Sequence, residues 1–202
     1  MPRASSGAAV LAAALAAACC ATLPRASPAA VERAGRAASL SAALRVRLDG
    51  PELRARAQAL VAFRRPDALR IEVPGPSGLR LLAVAREDRL LAAFPAERAF
   101  YAGSASPEAM DALLGVALSP PEVMDLLVGK GSPRLRAYRA RWGPALPRKI
   151  DATLPDGARL TLTIEDAELD AALPEAAFAE PLHAGYRAVD AAEARSLWSR
   201  SS

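Results

Sequence analysis

Residues 40–73 read LSAALRVRLDGPELRARAQALVAFRRPDALRIEV, and the alternation within them decides the fold. Leu40, Ala42, Leu44, Val46 and Leu48 fall on one side of a two-residue period, with Ser41, Arg45, Arg47 and Asp49 on the other. After Gly50-Pro51 the pattern resumes: Leu53, Ala55, Ala57, Ala59, Val61 and Phe63 alternate with Arg54, Arg56 and Gln58. Beyond Arg65-Pro66-Asp67, Leu69, Ile71 and Val73 stand against Arg70 and Glu72. A period of two places one face in the interior and one in water, as in an antiparallel sheet. A sheet with one apolar face has to be covered.

Working outward, Leu79–Ala85 and Arg89–Phe94 are apolar on both faces, which predicts central strands covered on both sides. Arg98–Ala102 completes a six-strand meander over Leu40–Ala102. Two helix starts follow. Ser106-Pro107-Glu108 opens one helix, with Met110, Leu113 and Leu114 as its apolar stripe and Gly115 at its end. Ser119-Pro120-Pro121-Glu122 opens another, with Val123, Leu126 and Leu127 as its stripe and Gly129-Lys130-Gly131 as its stop. Strand patterning returns over Arg134–Trp142 and Leu146–Leu154. Pro155-Asp156-Gly157 then turns the chain into Leu160, Leu162 and Ile164 against Thr161, Thr163 and Glu165. Phe178–Arg187 is irregular, and short helices are expected at Pro28–Ser39, interrupted by Gly35, and at Asp190–Trp198. The predicted class is α+β: an unclosed antiparallel β-barrel of about nine strands or more, with helices capping the concave apolar face.

The chain has 202 residues and carries 26 basic against 22 acidic side chains, a net charge of +4. The arginines are spread along the strands rather than run together, which predicts a solvated sheet face and no nucleic-acid partner. Aromatic residues make up only 4% of a sequence that is 52% hydrophobic. Alanine, leucine and valine therefore fill the interior. Small side chains leave room that bulky ones would close.

Residues 1–18 carry one charge, Arg3, and an apolar run from Ala8 to Ala18, the pattern of a signal peptide. Cys19 and Cys20 follow directly. Leu15-Ala16-Ala17-Ala18-Cys19 resembles a bacterial lipobox, whose cysteine is acylated on sulfur and becomes the N-terminus. Its leucine stands one place earlier than the preferred position. Ala16 and Ala18 equally form an Ala-x-Ala cleavage site, and a strained vicinal Cys19–Cys20 disulfide is the third reading. On the lipobox reading Cys20 is a spare thiol or an alternative acceptor. By resemblance to enteric sorting, a second mature residue other than Asp favours the outer membrane. The expected organisation is a leader over 1–18, an acylated end and tether over 19–28, and one domain over 29–202.

The order of elements resembles the LolA/LolB-like lipoprotein carriers and receptors, and most closely the LolB-like outer-membrane lipoproteins. The residues that carry the resemblance are Cys19, Ala68–Val73, the turn Pro74–Gly78, Leu118–Glu122 and Leu173–Phe178. It implies an acyl chain held between sheet and helices, cargo received from a periplasmic carrier, and contact with the inner leaflet of the outer membrane. The expected lining residues are Leu44, Val46, Leu48, Val61, Leu69, Ile71, Val73, Leu82 and Val84. The expected lid residues are Met110, Leu113, Leu114, Val123, Leu126 and Leu127. The resemblance further implies an insertion loop at Pro74–Gly78. Its tip is Ser77 where a large apolar residue is needed, unless Leu79 takes that role. Burying an acyl chain of palmitate length contributes on the order of 10 kcal/mol, at about 0.8 kcal/mol per methylene. The alternative is a structural envelope lipoprotein that binds a protein partner without lipid cargo.

No catalysis, metal or cofactor is expected. His183 is the single histidine and lacks partners for a metal site. Asp166 with Asp170, or Glu165 with Glu168, sit in a charged strand-to-loop transition that reads as solvated. Gly75 and Gly78 are turn glycines between antiparallel strands, not a phosphate cradle.

Overall fold

A computed structural model describes residues 26–51, 53–76, 78–181 and 183–200. The leader, Cys19, Cys20 and Ser77 lie outside the described residues.

The first six strands are β1 (Ser39–Asp49), β2 (Arg54–Arg64), β3 (Ala68–Gly75), β4 (Gly78–Arg86), β5 (Arg89–Phe94) and β6 (Ala99–Ser104). The helices α1 (Pro28–Arg36), α2 (Pro107–Leu114), α3 (Pro120–Leu127) and α4 (Ala191–Arg200) flank and interrupt the strands. β7 (Ala137–Trp142), β8 (Pro147–Thr153), β9 (Arg159–Leu169) and the short β10 (Arg187–Ala188) complete one ten-stranded sheet. Its order is β10-β6-β5-β4-β3-β2-β1-β9-β8-β7. β7 and β10 are its two ends, so the barrel does not close. Every pairing is antiparallel except β10 with β6, which is parallel. This tenth strand starts on the last residue of the segment expected to be irregular.

The alternation read from the sequence is the observed one. Leu44 stands opposite Ala59 and Ile164, Val46 opposite Ala57 and Leu162, and Leu48 opposite Ala55 and Leu160. These side chains share the inner face and belong to one buried cluster with α2 and α3. β4 and β5 are indeed covered on both sides. On their outer side a single 3-10 turn, Glu175–Phe178, buries Phe178 beside Val84 and Leu91. Arg64 holds that turn with its guanidinium 5.2 Å from the Phe178 ring centroid, and Arg70 donates to the Ala177 carbonyl at 2.9 Å.

Gly35 does not interrupt α1, which continues to Arg36. A Cβ at position 35 would come within 2.9 Å of the Lys130 Cε, so glycine at this place makes room for a side chain crossing the helix. The strand predicted from Arg134 begins only at Ala137. Leu135 donates its amide to the Ser132 carbonyl at 3.2 Å, which makes the preceding residues a turn. His183 packs against Phe100, ring centroids 4.5 Å apart, with Nδ1 2.9 Å from the Pro181 carbonyl.

Candidate functional site

Between the inner face of the sheet and the two central helices lies an apolar hollow of about 100 Å³. Three groups of strand residues form its walls. β1 and β9 contribute Leu44, Val46, Leu160 and Leu162; β2 contributes Ala55, Ala57, Ala59 and Val61; β3 and β4 contribute Ile71, Val73 and Leu81. The roof is Met110 and Leu114 of α2, Val116 of the connection, and Val123, Leu126 and Leu127 of α3. No titratable side chain among the described residues borders it, so its lining offers nothing for acid–base or metal chemistry. Val46, Ala57, Ile71, Leu114, Val116 and Val123 are only half-buried and mark where it opens.

The roof helices sit where they do because each carries its own start and stop. Ser106 accepts the Ala109 amide at 3.2 Å and precedes Pro107. α2 ends at Gly115, whose φ of 70° is the left-handed conformation that glycine adopts without strain. A Cβ there would stand 2.8 Å from the Cδ2 atoms of both Leu48 and Leu53. In α3 the Glu122 carboxylate accepts from the Ser119 amide and hydroxyl, both at 2.9 Å, and from the Ser132 hydroxyl at 2.7 Å. Asp125 on the same helix is joined to Arg65 of the β2–β3 turn at 2.5 Å.

Partial burial pushes the Glu122 carboxyl up, but the hydrogen bonds from Ser132 and Ser119, with Arg134 nearby, outweigh it and hold the group below its ordinary 4.5. A depressed carboxyl contributes stability that is fully present above about 4.5 and lost as the pH falls through the folded value. Glu122→Gln is therefore expected to destabilise the protein by about 1 kcal/mol at pH 7, with the difference shrinking below pH ~4.5. Thermal melts of both proteins at neutral and acid pH measure this.

Of the expected lining residues, Leu44, Val46, Val61, Ile71 and Val73 border the hollow, as do the expected roof residues Met110, Leu114, Val123, Leu126 and Leu127. Leu48, Leu69 and Leu113 are buried in the same cluster without bordering it. Leu48 fills the space under Gly115, and Leu69 stands opposite the bulky Phe63. Leu82 and Val84 are the correction. They stand opposite Glu72 and Arg70 on the outer face, while Leu81 and Ala83 follow Val73 and Ile71 inward. Both faces of β4 are apolar, so its phase is visible only through its pairing with β3. Ala55, Ala57, Ala59, Leu81, Val116, Leu160 and Leu162 were not among the expected lining residues. The alternation of β2 and β9 carries the signal for most of them. Leu79 is half-buried opposite Pro74 at the start of β4, not a protruding tip.

A larger depression of about 390 Å³ lies on the outer face near Leu60. Arg70, Glu72, Asp166 and Glu168 border it, so hydrocarbon seated there would leave charged groups without water. The inner hollow is the better site for an apolar guest.

No protein-family model matches the sequence, and no curated protein matches it. Similar solved structures include a LolA superfamily protein from Nitrosomonas europaea, with a TM-score of 0.46 and 11% identity, covering 78% of this chain and 99% of that one. Another is a putative outer membrane lipoprotein-sorting protein domain from Vibrio parahaemolyticus, with a TM-score of 0.45 and 9% identity, covering 73% and 93%. A third is a DUF1329 family protein from Desulfovibrio piger, with a TM-score of 0.46 and 10% identity, covering 81% and 100%. None of the three is described as a LolB-like receptor.

Proposed function

We propose that this chain binds acyl chains in the hollow under α2 and α3, as an envelope protein anchored through Cys19 that takes part in lipoprotein localisation at the outer membrane. The observation that carries the reading is the lining: an opening into the core bordered by apolar side chains alone. Such a surface gains from hydrocarbon and offers nothing to a polar ligand. The acyl chain of a lipid or lipoprotein is the guest of matching chemistry, the inner leaflet of the outer membrane its destination, and a soluble periplasmic carrier its source.

The size of the hollow sets a condition. At about 100 Å³ it is smaller than the ~150 Å³ void that admits benzene, and far below the ~300–1,000 Å³ of ordinary ligand pockets. A chain of palmitate length enters only when the roof helices move outward. The same narrowness favours a second reading, a structural envelope lipoprotein that holds a protein partner and carries no lipid.

Titration of the 202-residue chain with a fluorescent fatty acid, followed by displacement with palmitate, separates the two. Saturable, fully displaceable binding is expected. Its absence leaves the second reading. The anchor is tested separately by Cys19→Ala in cells, which is expected to change the mass through loss of the acyl groups and of processing at Cys19, and to change the membrane fraction; no change in either removes the anchor.

A further inference from the structure

Arginines that look scattered in the sequence are gathered by the sheet onto one outer, solvated surface. Across β2, β1, β9, β8 and β7 the pairing sets outward side chains in rows. One row runs Arg54, Asp49, Arg159, Thr153. The next runs Arg56, Arg47, Thr161, Asp151, Arg139. The third runs Gln58, Arg45, Thr163, Lys149, Arg141. At ordinary strand and residue spacings these rows cover roughly 19 by 14 Å.

Two features distinguish this surface from a merely solvated face. Arg47 stands directly opposite Arg56, and Arg141 directly opposite Lys149, arrangements that destabilise a sheet. Acidic relief within the rows is limited to Asp49 and Asp151 among the described residues. Arg47 donates to the Asp49 carboxylate at 2.6 Å, and that bond together with the nearby Arg56 and Arg54 holds the Asp49 carboxyl below its usual range. The second feature is polarity. A bulge between Ala43 and Leu44 breaks the register with β9, and beyond it Glu165, Asp166 and Glu168 are exposed. Glu165 reaches back to pair with Arg45. The face thus runs from positive to negative along the strands.

We infer that the basic outer face of β2-β1-β9-β8-β7 docks against an anionic lipid bilayer. Besides the carboxylates of Asp49 and Asp151, its rows hold guanidinium, ammonium, hydroxyl and amide groups but no aromatic ring on which single-stranded bases would stack. Among the described residues no helix or ribbon projects from it to enter a duplex groove. The apolar anchor that centres a protein interface is missing as well. A dense lattice of cations without a shaped pocket matches negative groups that are repeated and laterally free, as phosphate headgroups are. The acidic end is repelled by the same surface, which fixes the orientation of the molecule upon it. None of this depends on occupancy of the hollow.

The test uses the 202-residue chain carrying Cys19→Ser and Cys20→Ser, so that no acyl group contributes. Sedimentation is measured with phosphatidylcholine vesicles, alone or mixed with phosphatidylglycerol. Stronger binding to the anionic vesicles, weakened by salt, is expected. Each arginine removed is expected to weaken that binding about fivefold, so R56Q/R139Q/R141Q loses about a hundredfold. The same variant is expected to melt close to the parent, because the two like-charge pairs it relieves offset the long, exposed Arg141–Asp151 contact at 4.0 Å that it removes. Should it melt earlier, Arg139→Gln alone, a side chain in no ion pair among the described residues, must still show the fivefold loss. Equal binding to both vesicle types overturns the inference, as does an equal loss in R33Q/R86Q/R89Q, which removes the same charge elsewhere. Tighter retention of a short DNA duplex than of the anionic vesicles at equal salt also overturns it, and assigns the face to nucleic acid.

Discussion

Ile71→Glu is expected to abolish fatty-acid binding at concentrations that saturate the unaltered protein. Ile71 lies at the middle of β3, half-buried where the hollow opens, opposite Val61 on one side and Ala83 on the other. In the empty protein a carboxylate at this place still reaches water, so the fold tolerates it. Hydrocarbon in the hollow removes that water and leaves the charge without a partner, at a cost of several kcal/mol. Every ~1.4 kcal/mol lowers affinity tenfold, so the loss is at least about a hundredfold. Leu82→Lys is the control. It alters the next strand but on the outer face, opposite Glu72, where a cation makes a favourable cross-strand pair. Binding by this variant is expected to match the parent. Displacement titrations of both variants decide the matter: an equal loss in the two would mean that the hollow is not where the fatty acid sits.

Phe63→Ala is expected to destabilise the protein by about 3–5 kcal/mol, a large share of the ~5–15 kcal/mol that holds an ordinary domain together. The Phe63 side chain is fully buried on β2, and the Arg65 guanidinium lies 5.5 Å from its ring centroid. In an interior built of alanine, leucine and valine no neighbour is large enough to close the space its ring would leave. Leu60 lies three residues earlier on the same strand, faces outward and is 49% exposed, so Leu60→Ala should stay within about 0.5 kcal/mol. Urea unfolding of the two variants gives the comparison, and similar midpoints would show that Phe63 is not the keystone its burial implies.

Much of this architecture is legible without coordinates because a two-residue period admits one inner face. β1, β2, β3 and the first half of β9, up to the bulge at Glu165, each alternate cleanly, and each buries the side that the alternation names. The helix starts at Ser106 and Ser119 are equally plain, since serine followed by proline and glutamate supplies a cap, a fixed φ and a charge suited to the first turn. Legibility fails where local pattern is silent. β4 is apolar on both faces, so Leu82 and Val84 could be assigned outward only through their partners Glu72 and Arg70. β10 spans two residues, too short for any period to show. The basic face was hidden for a further reason: Arg56 and Arg139 are 83 positions apart in the numbering and meet only through three intervening strands. Clustering in space is a property of register, which composition does not carry.

The self-contained ends of α2 and α3 bear on how the hollow can widen. Serine hydroxyls and carboxylates from within the same short segment satisfy the first amides, and Gly115 turns the chain out of α2 without help from the sheet. Swinging either cylinder aside therefore strands no peptide group in a dry environment. What resists the swing at α3 is side-chain contact and the Arg65–Asp125 ion pair, and hydrocarbon of the proposed guest would restore the former. On the proposed function, such a shutter would pivot as a finished piece, and a bulky guest would enter without the helices unravelling.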